Sequence, residues 1–182
     1  GTDGPGALKA LTAAGIHLSG KYILMLGAGG AARAIAFTLA NNGGAAAIEI
    51  LDINETILDQ LTMDLTTGTE AVIRSNTMTD HTLAKSMAVA DIVIHCTPVG
   101  MHPKEGVSIV PATLFRPGQV VFDIVYTPLE TKLLADAKSK GLQIISGVDM
   151  FINQAILQFE RFTGVDAPVE VMRKVVMENL KS

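Results

Sequence analysis

The apolar run Tyr22-Ile23-Leu24-Met25-Leu26 ends at Gly27. The next residues read Ala28-Gly29-Gly30-Ala31-Ala32 and lead into an alanine-rich stretch that reaches Ala40. No other feature constrains this chain as much. Five apolar residues closed by a glycine read as a strand buried on both faces. The alanine-rich stretch reads as a helix, ended by Asn41-Asn42-Gly43-Gly44. A strand that turns over glycines directly into a helix presents the helix's free N–H groups and positive dipole end at the turn, and these suit a phosphate. Gly27 permits the tight turn, Gly29 lets the backbone approach a pyrophosphate, and Ala32 is small enough for the helix to pack close to the sheet. Gly-rich turns are common on steric grounds alone. Here the strand before and the helix after give the pattern a dinucleotide-binding reading, with Gly27, Ala28, Gly29, Gly30, Ala31 and Ala32 as candidate cofactor contacts. The Gly-Lys-Ser/Thr ending of a nucleoside-triphosphate loop does not follow.

The rest of the chain repeats the same rhythm. Helices are expected over Gly4 to Ala14, from an N-cap at Asn54, from Thr79 or Asp80, over Glu130 to Lys140 and over Asp149 to Phe162, with a last one from Pro168 to about Leu180. The apolar stripes are read as Ile57, Leu58, Leu61 and Leu65, then Leu83, Met87 and Val89, then Phe151, Ile152, Ile156 and Phe159. Strands are expected at Ala46–Leu51, Ala71–Ile73, Asp91–Cys96, Gln119–Ile124 and Leu142–Ile145. Thr97 to Pro117 is a long loop rich in Pro and Gly, of the kind that carries function or lacks order. Alternating strands and helices predict an α/β fold: a Rossmann-type, doubly wound, mostly parallel sheet with helices on both faces. Composition agrees. Hydrophobic residues are 48% of the 182 and charged residues only 18%, which suits a sheet covered on both sides.

Composition also removes several function classes. The net charge is -4 and no run of five like charges occurs, so nucleic acid and anionic membranes are poor partners. The single cysteine, Cys96, excludes an internal disulfide and fits a reducing, cytoplasmic setting. His17, His81, His95 and His102 show no metal-ligand spacing, so no metal is expected. Cys96 reads as a small core residue and not as a nucleophile.

The second strand ends Asp52-Ile53-Asn54. An acidic residue there accepts hydrogen bonds from the adenosine ribose and repels a 2′-phosphate, so Asp52 favours NAD over NADP, with Ile53 flanking it. Arg33 reads equally as a phosphate contact or a solvated residue.

Five segments together resemble the shikimate/quinate dehydrogenases: Thr2-Asp3-Gly4, the turn Gly27 to Ala32, Asp91 to Met101, Phe122 to Thr131, and Gly147 to Ala155. Their order and spacing cover essentially the whole chain. The family's enzymes have an N-terminal substrate domain and a C-terminal nicotinamide-cofactor domain, and this chain resembles only the second. The resemblance therefore implies one NAD(P)-binding domain over 1–182, with 1–15 and 149–182 bordering the substrate domain. It implies that Asp3 is the active-site aspartate, whose lysine partner lies in a Val-Pro-Phe-Lys type motif missing from these 182 residues. Tyr126 and Gln154 match residues that reach the substrate. Thr97, Val99, Ile124, Gly147 and Met150 match positions around the nicotinamide and its ribose. Asp52 stands where NADP-dependent members place an Asn-Arg pair, and Asp149 stands where Gly is frequent.

The implied activity is hydride transfer between NAD, with NADP left open, and the ring hydroxyl of a shikimate- or quinate-type polyol acid. The ketones would be 3-dehydroshikimate and 3-dehydroquinate, as in aromatic amino acid biosynthesis. An isolated domain is expected to bind NAD without turnover. The absent initiator methionine is compatible with a fragment. Apolar residues near Val99, Met101, Tyr126, Met150 and Phe151 are expected to form an exposed face that invites a homodimer. Two alternatives remain open: a free-standing dinucleotide-binding regulator, and a methylene-tetrahydrofolate-type dehydrogenase cofactor domain.

Overall fold

The computed structural model describes residues 1–42 and 44–180. Gly43, read as part of a helix stop, lies outside the described residues, as do 181 and 182. Six strands form one sheet: β1 (Tyr22–Leu26), β2 (Ala47–Asp52), β3 (Ile73–Thr77), β4 (Ile92–His95), β5 (Val120–Asp123) and β6 (Gln143–Ile145). Their order is β3-β2-β1-β4-β5-β6, and every pairing is parallel. The helices are α1 (Asp3–Ala13), α2 (Gly30–Asn42), α3 (Glu55–Gly68), α4 (Asp80–Met87), α5 (Lys132–Ser139), α6 (Gly147–Thr163) and α7 (Val169–Asn179). This is the expected doubly wound α/β architecture. The strand order reverses between β1 and β4, and in such sheets the ligand crevice opens there, beyond the carboxyl ends of the strands.

Side-chain alternation along the strands divides the core. Ile23 and Met25 of β1, Ile48 and Ile50 of β2, and Ile92 and Ile94 of β4 pack with Ala7, Leu11, Ile35, Leu39, Leu58 and Leu61 from α1, α2 and α3. Leu24, Leu26, Val93 and Val121 point the other way and meet Leu83, Met87, Leu133 and Leu134 from α4 and α5. Burying both faces explains why these strands are continuous apolar runs. Helix α1 lies against α2 and α6 at positions where two glycines are needed. A Cβ on Gly4 would stand 1.9 Å from Thr38 Oγ1, and one on Gly6 would stand 2.5 Å from Gln154 Cγ.

The helix caps expected at Asn54 and Thr79 form, and the structure adds one at Thr131. The Asn54 side chain accepts the Ile57 N–H, Thr79 forms a capping box with Thr82, and Thr131 accepts the Leu134 N–H. Helix α6 starts two residues before the expected Asp149, because Ser146 and Asp149 form a capping box around Gly147. Three apolar assignments fail: Ile57 is 46% exposed, Val89 is 54% exposed, and Met150, expected on the exposed face, is buried at 4%. Phe151, read both on the α6 stripe and on the exposed face, is 38% exposed, as the second reading expects. Ile57 lies off the Leu58, Leu61 and Leu65 stripe that packs on the sheet, Val89 lies beyond the end of α4, and Met150 packs into the core with the strands. The third strand is Ile73–Thr77 and not Ala71–Ile73. It is an edge strand, so Arg74 and Asn76 sit exposed on it, and apolar content marked the wrong end. The loop 97–117 contains a short 3-10 helix over Ala112–Leu114.

Candidate functional site

The turn expected to hold phosphate sits at the carboxyl end of the central strand β1. Gly27 has φ 108°, a conformation that side chains rarely adopt. A Cβ on it would lie 2.9 Å from both Cys96 O and Thr97 Cγ2, so the start of the 97–117 loop closes directly over the turn. Gly29 and Gly30 differ: both are exposed, with no atom within 4 Å of where a Cβ would stand. Helix α2 begins at Gly30, so the N–H groups of its first turn have no acceptor within the helix. The open space over two glycines and these free donors together fit a pyrophosphate. Ala32 is fully buried, as close packing of the helix requires.

Asp52, at the end of β2, is tied to this turn. Its Oδ2 accepts the Ala28 N–H at 2.6 Å and its Oδ1 accepts the Asn54 N–H at 2.8 Å. The carboxylate therefore braces the glycine turn, and the Ala28 N–H is taken up by the protein itself. Asp52 and the exposed Ile53 line an open depression of about 520 Å³, together with Met78, Thr79, Asp80, Thr97 and Val99. Arg33 turns away from the phosphate turn. It pairs with Asp64 at 2.6 Å and lies over the Phe37 ring, and its guanidinium holds the Asp64 carboxyl below the usual carboxylate range.

A second depression of about 320 Å³ adjoins the first across Thr97 and Pro98. Cys96, Met101, Ile124, Val125, Tyr126 and Thr127 line the rest of it. Gly147 stands behind its floor, where a Cβ would be 2.3 Å from Val125 O and 2.5 Å from Ile124 O. Met150 packs in the core with the strands, so its side chain is not part of the open surface. Burial, and after it the charge of Asp123, push the Cys96 thiol well above its ordinary range, which keeps it protonated. Asp149 is engaged with Ser146 and with Arg173 at 3.3 Å.

Asp3 and Gln154 are 151 positions apart, and the fold brings them together. Gln154 Nε2 donates to Asp3 Oδ1 at 2.6 Å. Tyr126, 46% exposed, stacks on Phe151 of α6 with ring centroids 5.2 Å apart.

One group of polar residues carried no role in the sequence reading. His95 and Asp123 end adjacent parallel strands in direct register, and both are fully buried. His95 Nδ1 is 2.9 Å from Asp123 Oδ1, and His95 Nε2 is 2.5 Å from Thr97 Oγ1. Asp123 also accepts the Val125 N–H at 3.0 Å and the Thr131 hydroxyl at 2.6 Å. The signal was present: aligning the carboxyl ends of the fourth and fifth strands sets His95 beside Asp123.

The six-stranded parallel order, the glycine turn and the two depressions at the switch point define the class of protein: a Rossmann-type α/β domain. Comparison with known proteins narrows the class. Residues 147–177 match the family model described as the shikimate 5'-dehydrogenase C-terminal domain. A shikimate dehydrogenase (NADP(+)) of Methanosarcina mazei is 40% identical over 182 residues, 100% of this chain and 64% of that protein. The structure of shikimate 5-dehydrogenase from Listeria monocytogenes, in complex with shikimate and NAD, superposes with a TM-score of 0.90 at 33% identity, over 96% of this chain and 62% of that one. Quinate dehydrogenase from Corynebacterium glutamicum, in complex with NAD, gives 0.87 at 27% identity, over 97% and 62%. The chain is thus a homologue of the shikimate/quinate dehydrogenases and corresponds to their C-terminal part. It spans less than two thirds of the length of the relatives it matches.

Among the described residues no helix is long and apolar enough to cross a membrane, and no group of three His, Cys, Asp or Glu could hold a metal.

Proposed function

We propose that this chain is the cofactor-binding domain of an oxidoreductase that moves a hydride between NAD and the ring hydroxyl of a shikimate- or quinate-type polyol acid. The observation that carries the reading is the glycine turn with open space over Gly29 and Gly30, braced from the side by Asp52. The free N–H groups of the first turn of α2 hold the pyrophosphate. Asp52 and Ile53 border the adenosine ribose in the larger depression. Thr97 and Ile124, with Gly147 behind its floor, shape the smaller one, where the nicotinamide half lies, and Val99 borders it from the larger one. Bound there, the dinucleotide supplies the hydride acceptor.

A 2′-phosphate on the adenosine ribose would face Asp52, with Asp80 on the wall of the same depression. Two carboxylates disfavour that dianion, so NAD is preferred although the Methanosarcina relative carries NADP(+) in its name. On the substrate side, the Asp3–Gln154 pair and Tyr126 form the chain's own contribution. Asp3 makes no ion pair among the described residues, and its proposed role is to orient a lysine amine that removes the hydroxyl proton. The exposed apolar surface at Met101, Tyr126 and Phe151 is the proposed meeting face, for the substrate domain or for a second copy.

Calorimetric titration tests the cofactor half. The 182-residue chain should bind NAD at least about tenfold tighter than NADP. Equal affinity for both would remove the role given to Asp52. The same polypeptide by itself should show no shikimate- or quinate-dependent NAD reduction, and steady turnover would overturn the assignment of the proton-removing amine to another segment.

A further inference from the structure

The buried Asp123–His95 pair takes no direct part in the proposed binding, yet its outer end reaches the cleft. Three donors converge on the two carboxylate oxygens of Asp123: Val125 N–H, the Thr131 hydroxyl and His95 Nδ1. With an ionised carboxylate as acceptor and a neutral ring, this arrangement puts the ring proton of His95 on Nδ1 and leaves Nε2 bare. Thr131 is itself the N-cap of α5, accepting the Leu134 N–H, so the carboxylate is anchored to a helix and cannot swing away. The bare Nε2 then meets Thr97 Oγ1 at 2.5 Å. Only the hydroxyl can supply the proton of that bond. Oγ1 also accepts the Val99 N–H at 3.3 Å. Its proton and one lone pair are now occupied, and one lone pair is left. The methyl of the same side chain lies over Gly27, 2.9 Å from where a Cβ on that residue would stand. Thr97 borders both depressions of the cleft.

We propose that His95, held by Asp123, is a positioning residue that draws the Thr97 hydroxyl proton inward, so that Thr97 meets a ligand only as a hydrogen-bond acceptor. Such a group selects a donor on the nicotinamide half of the dinucleotide, either a ribose hydroxyl or the carboxamide N–H₂. This rests on the dinucleotide reading above for the ligand, and on the hydrogen-bond geometry alone for the proton.

Two measurements test it. The first is nitrogen and proton NMR of the ligand-free chain. The His95 ring should show a protonated Nδ1 and a bare Nε2, and the Thr97 hydroxyl proton should be protected from exchange. A ring protonated on Nε2, or a freely exchanging hydroxyl, overturns the proposal. The second is calorimetry with NAD, ADP-ribose and nicotinic acid adenine dinucleotide. Thr97→Val should weaken NAD about fivefold and Thr97→Ser by less than about twofold. If the donor is a ribose hydroxyl, ADP-ribose should lose affinity in parallel. If it is the carboxamide, only NAD should, and nicotinic acid adenine dinucleotide should be indifferent to the change.

His95→Asn keeps a donor for Asp123 but is too short to reach Thr97. It should retain the parent's melting temperature, lose the protected hydroxyl signal and weaken NAD about threefold. Parent-like NAD affinity in both Thr97→Val and His95→Asn overturns the proposal while leaving the cofactor reading intact. Failure of the parent to bind NAD overturns that reading, and the ligand half of this one with it.

Discussion

Two aspartates close two strands of the same sheet, Asp52 on β2 and Asp123 on β5, one on each side of the point where the strand order reverses. Asp52 is half-buried. It holds two backbone N–H groups of its own protein and still faces the larger depression. Asp123 is fully buried, and its oxygens are occupied by His95, Val125 and Thr131. The same residue type at equivalent topological places thus does opposite work. One aspartate displays its charge to the open depression, and the other hides its charge to hold a wall of the cleft in place. What separates them is what covers the strand end. The connection after β2 runs straight into α3 through an exposed Asn54 cap, whereas the segment after β5 folds back and places Thr131 over the carboxylate.

The largest effect should come from the hidden one. Asp123→Leu leaves His95 and the Thr131 hydroxyl buried without their acceptor, and should cost about 3–5 kcal/mol in urea unfolding. A loss comparable to that of a surface substitution would show that the carboxylate is not the centre of the network. Next comes the turn between the two aspartates. Gly27→Ala forces a Cβ into Cys96 O and Thr97 at φ 108°, and should cost about 1–3 kcal/mol while abolishing NAD binding by calorimetry.

The displayed aspartate should change selectivity more than stability. Asp52→Asn keeps the shape and one of the two acceptor oxygens but removes the charge, and NADP affinity should rise about tenfold relative to NAD. An unchanged ratio would move the discrimination to Asp80. Asn54→Ala removes the α3 cap beside Asp52 and should cost about 1 kcal/mol, read as a lower urea midpoint with unchanged slope. The smallest effect concerns Arg33 and Asp64. The lowered pKa of Asp64 means that this pair stabilises the fold above the ordinary carboxylate range, and the contribution fades as pH falls through the lowered value. Arg33→Ala should therefore reduce stability slightly near pH 7, and the difference should shrink as pH falls through and below the ordinary carboxylate range.

How legible each part was depends on the range of the interaction. The phosphate turn was readable because all its requirements are local: a buried strand, a glycine at positive φ, a small residue for packing. The caps at Asn54 and Thr79 are local for the same reason. Ile57 was misplaced because which side of a helix faces the core depends on its neighbours, and Val89 because α4 ends before it. Phe151 is held outward by stacking on Tyr126, 25 positions earlier in the chain. The Asp3–Gln154 bond joins opposite ends of the chain, and only the resemblance to a family placed both residues at one site.

By itself the sequence determined the alternation of strands and helices, the position of the phosphate turn and the acidic end of the second strand, because each is written in the order of neighbouring residues. The tertiary structure alone decided what those groups touch. It set Asp52 against the Ala28 N–H, turned Arg33 away to Asp64, and buried Met150. It also laid β4 beside β5, so that His95, Asp123 and Thr97 became one hydrogen-bonded chain leading into the cleft. Burial and register belong to the packed sheet, and no stretch of sequence carries them alone.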